Sequence, residues 1–452
     1  MLTDSTVAAV LTAIAVAALA CALFGAAARA MRQPPVIGQI LAGIALGPSL
    51  LGRLPGDPTA ILFPAHVLPY LGMLGQVAVT VFMFSVGYEL TAHRRQAAGR
   101  AVGAVAVGAL VVPVCLGVVL AVAGRAGFGS IGEPNAGDGT FVLFIAVAVS
   151  ITALPVLAAI VRDRALDGTP AGAVALASSG LMDVVAWFAL AAVTLGAGTA
   201  GGGFSGVREV GLRIVLLLVL AVVLLGVVRP VLHRWMRGTG TAPYHLPVAL
   251  SLATGAAAAT TALGLHAVFG GLLAGAAVPH LLPGSGTGSA REPEPGSDRL
   301  PVPFLGGALH AVESLLLPLF FVTTGLALDV GSLRPGDFVL LVVLCAVACA
   351  GKLGGGYLGA RLGGLPRRPS ATIAVLLNTR GLTELIALNL GLVSGIIHER
   401  LFTVLVLMAV ATTLMTGPLL SALGHRGSGR GPEGVRAKPV TAPGTAPAST
   451  RS

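Results

Sequence analysis

Apolar runs of about twenty residues alternate along this chain with short stretches that hold Pro, Gly and Arg. A helix needs ~20 mostly apolar residues to cross the hydrocarbon core of a membrane. On that rule the sequence predicts thirteen spans, at about 6–28, 35–52, 67–90, 101–123, 140–161, 171–198, 208–231, 244–262, 264–281, 304–327, 337–362, 371–396 and 400–423. The second and ninth are short and Gly-rich. No ten-residue stretch alternates apolar and polar positions, so an outer-membrane barrel is not expected. The fold class is all-α and polytopic. The first segment lacks a basic n-region and a convincing cleavage site, and is expected to stay as a retained helix.

Composition agrees. The 452 residues are 55% hydrophobic and 10% charged, with a mean hydropathy of +0.91, whereas soluble proteins carry roughly 25% charged residues. A water-soluble enzyme is thereby excluded. The net charge of +10 invites a nucleic-acid partner, but the basic residues fall between apolar segments and form no single patch. Their distribution reports orientation instead. With the N-terminus outside, twenty Lys and Arg fall on the cytoplasmic side, six on the other and two (Lys352 and Arg380) within spans. The positive-inside rule then places the C-terminus in the cytoplasm.

Residues 284–303 are rich in Gly, Ser, Pro and mixed charge and read as a cytoplasmic loop. Residues 425–452 read as a disordered cytoplasmic tail, and no regulatory domain is expected after the membrane part. Cys21, Cys115, Cys345 and Cys349 lie in apolar stretches and read as small buried hydrophobes rather than as disulfides or metal ligands. No cofactor is expected.

A charge at mid-bilayer costs ~2.5–3.5 kcal/mol on insertion scales and is a functional candidate by default. Asp183, in SSGLMDVVAWFALA, lies far from any loop. It reads either as a structural carboxylate or as one that exchanges a proton for a cation. Burial favours its neutral form and a nearby ammonium its charged form, so the two effects oppose. Lys352, in CAGKLGGGYLGARL, is one of only two lysines against 26 arginines. It reads as a counter-ion for Asp183 or as an amine able to lose its proton on burial. Arg380 and Glu384, in LLNTRGLTELIALN, share a helical face and read mainly as an internal ion pair. Glu313, which follows His310, and Glu89 read as helix-end or interfacial groups, and His266 as a packing residue.

Two spans carry interruptions. In SITALPVLAAI, Pro155 removes a backbone donor while Ser150 and Thr152 can satisfy freed groups. In the twelfth span Asn378, Thr379, Gly381 and Thr383 surround Arg380. The fifth and twelfth spans hold matching places in a six-plus-one-plus-six arrangement. Broken helices at corresponding places in two halves point to a transporter's midplane site.

The blocks QPPVIGQILAGIALGPSLLG (33–52), SITALPVLAAIVRDRAL (150–166), LMDVVAWFAL (181–190), HAVFGGLLAGAAVP (266–279), PLFFVTTGLALDV (318–330), NTRGLTELIALNLGL (378–392) and LFTVLVLMAVATTLMTGPLL (401–420) together resemble the cation:proton antiporter-2 family. The resemblance is to its bacterial potassium/proton antiporters and plant cation/proton exchangers, and covers residues 30–420. It implies a sodium/proton antiporter-like fold of two inverted repeats with crossed broken helices. It further implies a homodimer with scaffold helices at about 6–90 and 244–327, core helices at about 101–198 and 337–423, and a linker helix at about 208–231. The ion-binding carboxylate would be Asp183, the core lysine Lys352, and the crossing Thr152, Ala153 and Pro155 with Asn378, Thr379 and Arg380, supported by Glu384. Transport would be alternating access by an elevator-like core. One departure stands out: the family's paired acidic motif reads Met182-Asp183 here, and a thioether is a poor ligand for a hard cation.

The expected function is exchange of protons for K+ or Na+ across the cytoplasmic membrane through Asp183. The alternative is proton-coupled export of an organic ion or ionophore on the same fold, with the cation site altered at Met182. A channel is disfavoured because no carbonyl-filter sequence of the TVGYG type occurs. An intramembrane enzyme is disfavoured because no HExxH or GxSxG motif occurs.

Overall fold

In hydrocarbon each segment has to satisfy its own backbone polar groups, and the helix does so locally. A computed structural model describes residues 4–31, 33–92, 99–127, 138–166, 169–197, 204–238, 241–263, 265–279 and 304–425. In chain order its helices are α1 (Asp4–Ala30), α2 (Pro35–Leu46), α3 (Pro58–Leu62), α4 (Leu68–Ala92), α5 (Gly99–Gly127), α6 (Asp138–Ser150), α7 (Leu154–Asp163), α8 (Pro170–Ala197) and α9 (Phe204–Val223). There follow α10 (Arg229–Met236), α11 (His245–Ala262), α12 (Ala267–Ala277), α13 (Phe304–Leu326), α14 (Pro335–Leu362), α15 (Arg367–Leu377), α16 (Leu382–Val393) and α17 (Glu399–Ala422). A π-helical stretch, Leu224–Val228, runs α9 into α10. The described residues contain no strand.

Each of the thirteen expected spans coincides with a helix or a pair of helices. Among the described residues, nine helical stretches are long and apolar enough to cross a membrane, or ten if α15 and α16, bent by 41° at their junction, count as one span. The remaining expected spans fall short for visible reasons. α6 and α7 divide one span between them, α12 has only 11 residues, and the 18 residues of α11 include His245, Pro247, Ser251 and three Thr.

Two groups of helices pack internally. One comprises α1, α2, α4, α11, α12 and α13, and the other α5, α6, α7, α8, α14, α15, α16 and α17, with α5 against α14 as its broadest contact. The α9–α10 helix touches α8 on one side and α12 on the other. Small residues set the closest approaches, as is usual between membrane helices. A Cβ on Gly355 of α14 would lie 2.2 Å from the Gly108 carbonyl oxygen of α5, and one on Gly275 of α12 would lie 1.8 Å from that of Phe84 in α4.

Two expectations need correction. Glu313 is not at a helix end, because α13 begins nine residues before it, and the residue is 7% exposed. Cys115 is exposed, since it faces outward from α5, while Cys21 is buried and Cys345 and Cys349 are half-buried; all four are free thiols. The loop at 284–303, the tail after His425 and the side chains of Glu89 and His310 lie outside the described residues.

Candidate functional site

α6 ends at Ser150 and α7 starts at Leu154, so Ile151–Ala153 form a gap within one span. Pro155 sits in the first turn of α7, where its missing N–H leaves no helical bond unmade. In the same way α15 ends at Leu377 and α16 starts at Leu382, with Asn378–Gly381 between them.

The two gaps meet. The Ala153 N–H donates to the Thr379 carbonyl at 3.2 Å. The Thr152 hydroxyl donates to the Leu377 carbonyl at 3.3 Å, and the Thr383 hydroxyl to the Thr152 carbonyl at 3.4 Å. Thr379 turns its hydroxyl back to the Leu376 carbonyl at 2.6 Å, and the Asn378 amide donates to the Thr412 carbonyl of α17 at 3.2 Å. Thr152, Ala153, Asn378 and Thr379 are all buried. Side chains and the opposite gap thus satisfy backbone groups freed at each break, as intramembrane irregularity requires.

Two buried cations close the end of α6. Arg380 donates to the Ala148 carbonyl at 3.0 Å, to the Val149 carbonyl, and to Glu384 Oε1 at 2.7 Å. Lys352, wholly buried, donates to the Ala109 carbonyl of α5 at 3.2 Å, to the Ser150 carbonyl, and to the Thr152 hydroxyl at 2.6 Å. Three acceptors match the three donors of an ammonium. Among the described residues no ion pair joins Lys352 to Asp183. The hydrogen bonds of the lysine hold the start of the gap, and it acts on Asp183 through its charge without a direct ion pair.

Asp183 lies midway along α8 and is 1% exposed. The backbone N–H of Leu154, the first residue of α7, hydrogen-bonds its carboxylate. Its Oδ2 has no hydrogen-bond partner. One turn earlier the hydroxyl of Ser179, also fully buried, has none either. Ser179 escaped sequence reasoning; the available signal was its position four residues before the acid, on the same helical face. Met182 points elsewhere, into an apolar cluster with Val156, Leu157 and Ile160. His266 caps α12, its Nδ1 accepting from the Val268 N–H at 3.4 Å, which is a more specific role than packing.

A cavity of about 540 Å³ runs between α8 on one side and α9, α10 and α12 on the other. Leu154, whose N–H reaches Asp183, is in its wall. Asp183 and Ser179 themselves do not line it; a buried carboxylate with a free oxygen and a second free oxygen one helical turn away can hold a proton or a small cation.

The profile of the family described as "Sodium/hydrogen exchanger, transmembrane" matches residues 14–425. The chain is 34% identical over 396 residues to the Na(+)/H(+) antiporter NhaS4 of Synechocystis, with 86% of this chain and 90% of that protein covered. It is 34% identical to cation/H(+) antiporter 20 of Arabidopsis thaliana and 28% identical to K(+)/H(+) antiporter 1 of Saccharomyces cerevisiae. Those matches cover 87% and 86% of this chain, but it spans only 46% and 43% of those two longer proteins. Among solved structures, the sodium proton antiporter MjNhaP1 of Methanocaldococcus jannaschii superposes with a TM-score of 0.60, covering 93% of this chain and 98% of that one. At 13% identity that likeness shows the fold alone.

Proposed function

The chain belongs to the sodium/hydrogen exchanger family, and from that premise we propose that it exchanges protons for a monovalent cation, K+ or Na+, at Asp183. One observation carries the assignment. Asp183 is a fully buried carboxylate at the crossing of two broken helices, with one oxygen open and, among the described residues, no ion pair. Glu384 also has one oxygen without a partner but is paired through the other with Arg380, and Lys352 is held by hydrogen bonds to other groups. A proton and a monovalent cation neutralise the same carboxylate, so binding of one displaces the other. Ser179 supplies a second oxygen to the cation, in place of the oxygen that Met182 does not offer. Thr152, Ala153, Pro155, Asn378, Thr379, Arg380 and Glu384 hold the crossing in shape, and Lys352 fixes its α6 end.

In this reading α5–α8 and α14–α17 form a core that carries Asp183, and α1–α4 with α11–α13 form a scaffold. The α9–α10 helix links the two, and alternating access follows from movement of the core. The working unit is a homodimer in the cytoplasmic membrane. The distribution of basic residues supports an N-terminus outside and a C-terminus inside. The relatives are named as transporters, which supports transport rather than catalysis.

The test is dye-reported proton movement in proteoliposomes on addition of Na+, K+, Rb+ or Li+, for the native chain and for Asp183→Asn. A cation-dependent pH change that the substitution abolishes is the expected result. A folded protein that answers to no alkali cation overturns the reading. It would favour the second one, proton-coupled export of an organic ion, for which the apolar cavity beside Asp183 is the motivating observation.

A further inference from the structure

The cavity between α8 and α9, α10 and α12 is an unusual approach for a hydrated ion. Its walls include Leu154, Trp187, Phe188, Leu217 and Phe269, and Trp187 and Phe269 meet edge to face across it with ring centroids 6.1 Å apart. Apolar cavities hold water poorly. Yet the volume of about 540 Å³ is in the usual range for a small-molecule site. Among the described residues Arg229, at the start of α10, is the one charged side chain in the wall, no acidic group lines it, and Arg229 has no ion pair. A lone guanidinium at one end of an apolar slot repels organic cations and suits a carboxylate, which it can grip with two parallel hydrogen bonds.

We propose that this cavity is a binding site for a single-chain anionic amphiphile, a long-chain fatty carboxylate, with its head on Arg229 and its chain running past Leu154 toward Trp187. The site has room for one slender chain and a cation for one charge. Leu181, Phe188 and Leu225 of its wall are exposed, so the cavity opens on the apolar outer face of these helices, where such a molecule partitions. If Asp183 is the ion site, as proposed above, a chain lodged beside Leu154 closes the approach to it, so that membrane fatty acid restrains transport.

Binding can be read without transport. The chain has two tryptophans, and Trp187 is only 4% exposed while lining the cavity, so a quencher reaches it by entering. In the full chain carrying Trp235→Phe, purified in maltoside micelles, dibromostearate should quench Trp187 saturably. Arg229→Gln should raise the half-saturating concentration roughly tenfold or more, the loss expected for a charge-assisted pair. Ala221→Phe, which fills the cavity and leaves the arginine, should lower the quench as well. The uncharged methyl ester of the same acid should quench weakly and without saturation. Equal quenching by acid and ester, or quenching indifferent to both substitutions, overturns the proposal. So does saturable, Arg229-dependent quenching by brominated phosphatidylglycerol alone, which would make the occupant a phospholipid. Failure of any of these leaves the proteoliposome test of Asp183 untouched.

Discussion

Asp183 and Lys352 are both buried charges, but the protein has invested in them differently. The lysine is held by three oxygens from α5, α6 and the gap. The aspartate has one oxygen left open. Removing a buried ion from a satisfied network costs about 3–5 kcal/mol because its partners are left unpaired. Lys352→Met should therefore lower thermal stability in detergent by an amount in that range. Asp183→Asn should leave stability unchanged or raise it while abolishing exchange, and a large destabilisation by Asp183→Asn would contradict the geometry. Ser179→Ala removes a hydroxyl that bonds to nothing in the protein. It should raise the half-saturating cation concentration several-fold with little change in melting temperature. An unchanged cation dependence would remove Ser179 from the site. At this scale the sequence showed which charges were out of place, since an Asp or Lys amid leucines is conspicuous. It did not show what Lys352 binds, because backbone carbonyls of distant helices leave no mark in a sequence. Ser179 went unremarked because serines are common in membrane helices.

The elements that cross at the site owe their shape to Arg380. Its guanidinium bonds the Ala148 and Val149 carbonyls of α6 and Glu384 of α16, joining the two broken spans. Arg380→Met should cost about 3–5 kcal/mol, since it strands Glu384 and two carbonyls in a dry interior. Adding Glu384→Leu should recover part of that loss, and a thermal-unfolding cycle over the four proteins should give a coupling well above experimental error. Additive losses would mean that the pair does not act as a unit. Both breaks were legible in advance. Pro155 marked one, and the run of Asn378, Thr379 and Gly381 marked the other, because each residue either lacks a donor or brings side-chain groups that replace backbone ones. The contact between the breaks was implied only by the family resemblance; no local pattern marks it, because it depends on α6 and α15 stopping at the same depth. The length of α12 was overestimated for a related reason. Its apolar pattern continues toward α11, but His266 caps it and fixes its start.

For the whole molecule, the position of each helix followed from the apolar runs, while the expectation of thirteen spans exceeds the nine or ten stretches long and apolar enough to cross a membrane among the described residues. A division into two groups of helices was implied only by the family resemblance. The cavity with Arg229 was implied by neither, because it arises between helices remote in the chain. The residues gathered at the crossing have one further consequence, and it is electrical. With all four ionised, Asp183 and Glu384 balance Lys352 and Arg380, so the crossing carries no net formal charge. A proton or a monovalent cation on Asp183 brings it to the same single positive charge. A one-for-one cycle then carries equal charge inward and outward, and membrane potential, worth ~2.3 kcal/mol per elementary charge per 100 mV, drops out of its energetics. The direction of exchange is set by the two concentration gradients alone. Recordings on a solid-supported membrane should show no steady current under conditions in which the dye reports brisk exchange. A current that reverses with the cation gradient would mean that Lys352 surrenders its proton during the cycle despite its three acceptors. A silent membrane would describe a protein that trades ions by chemistry and leaves the cell's voltage undisturbed.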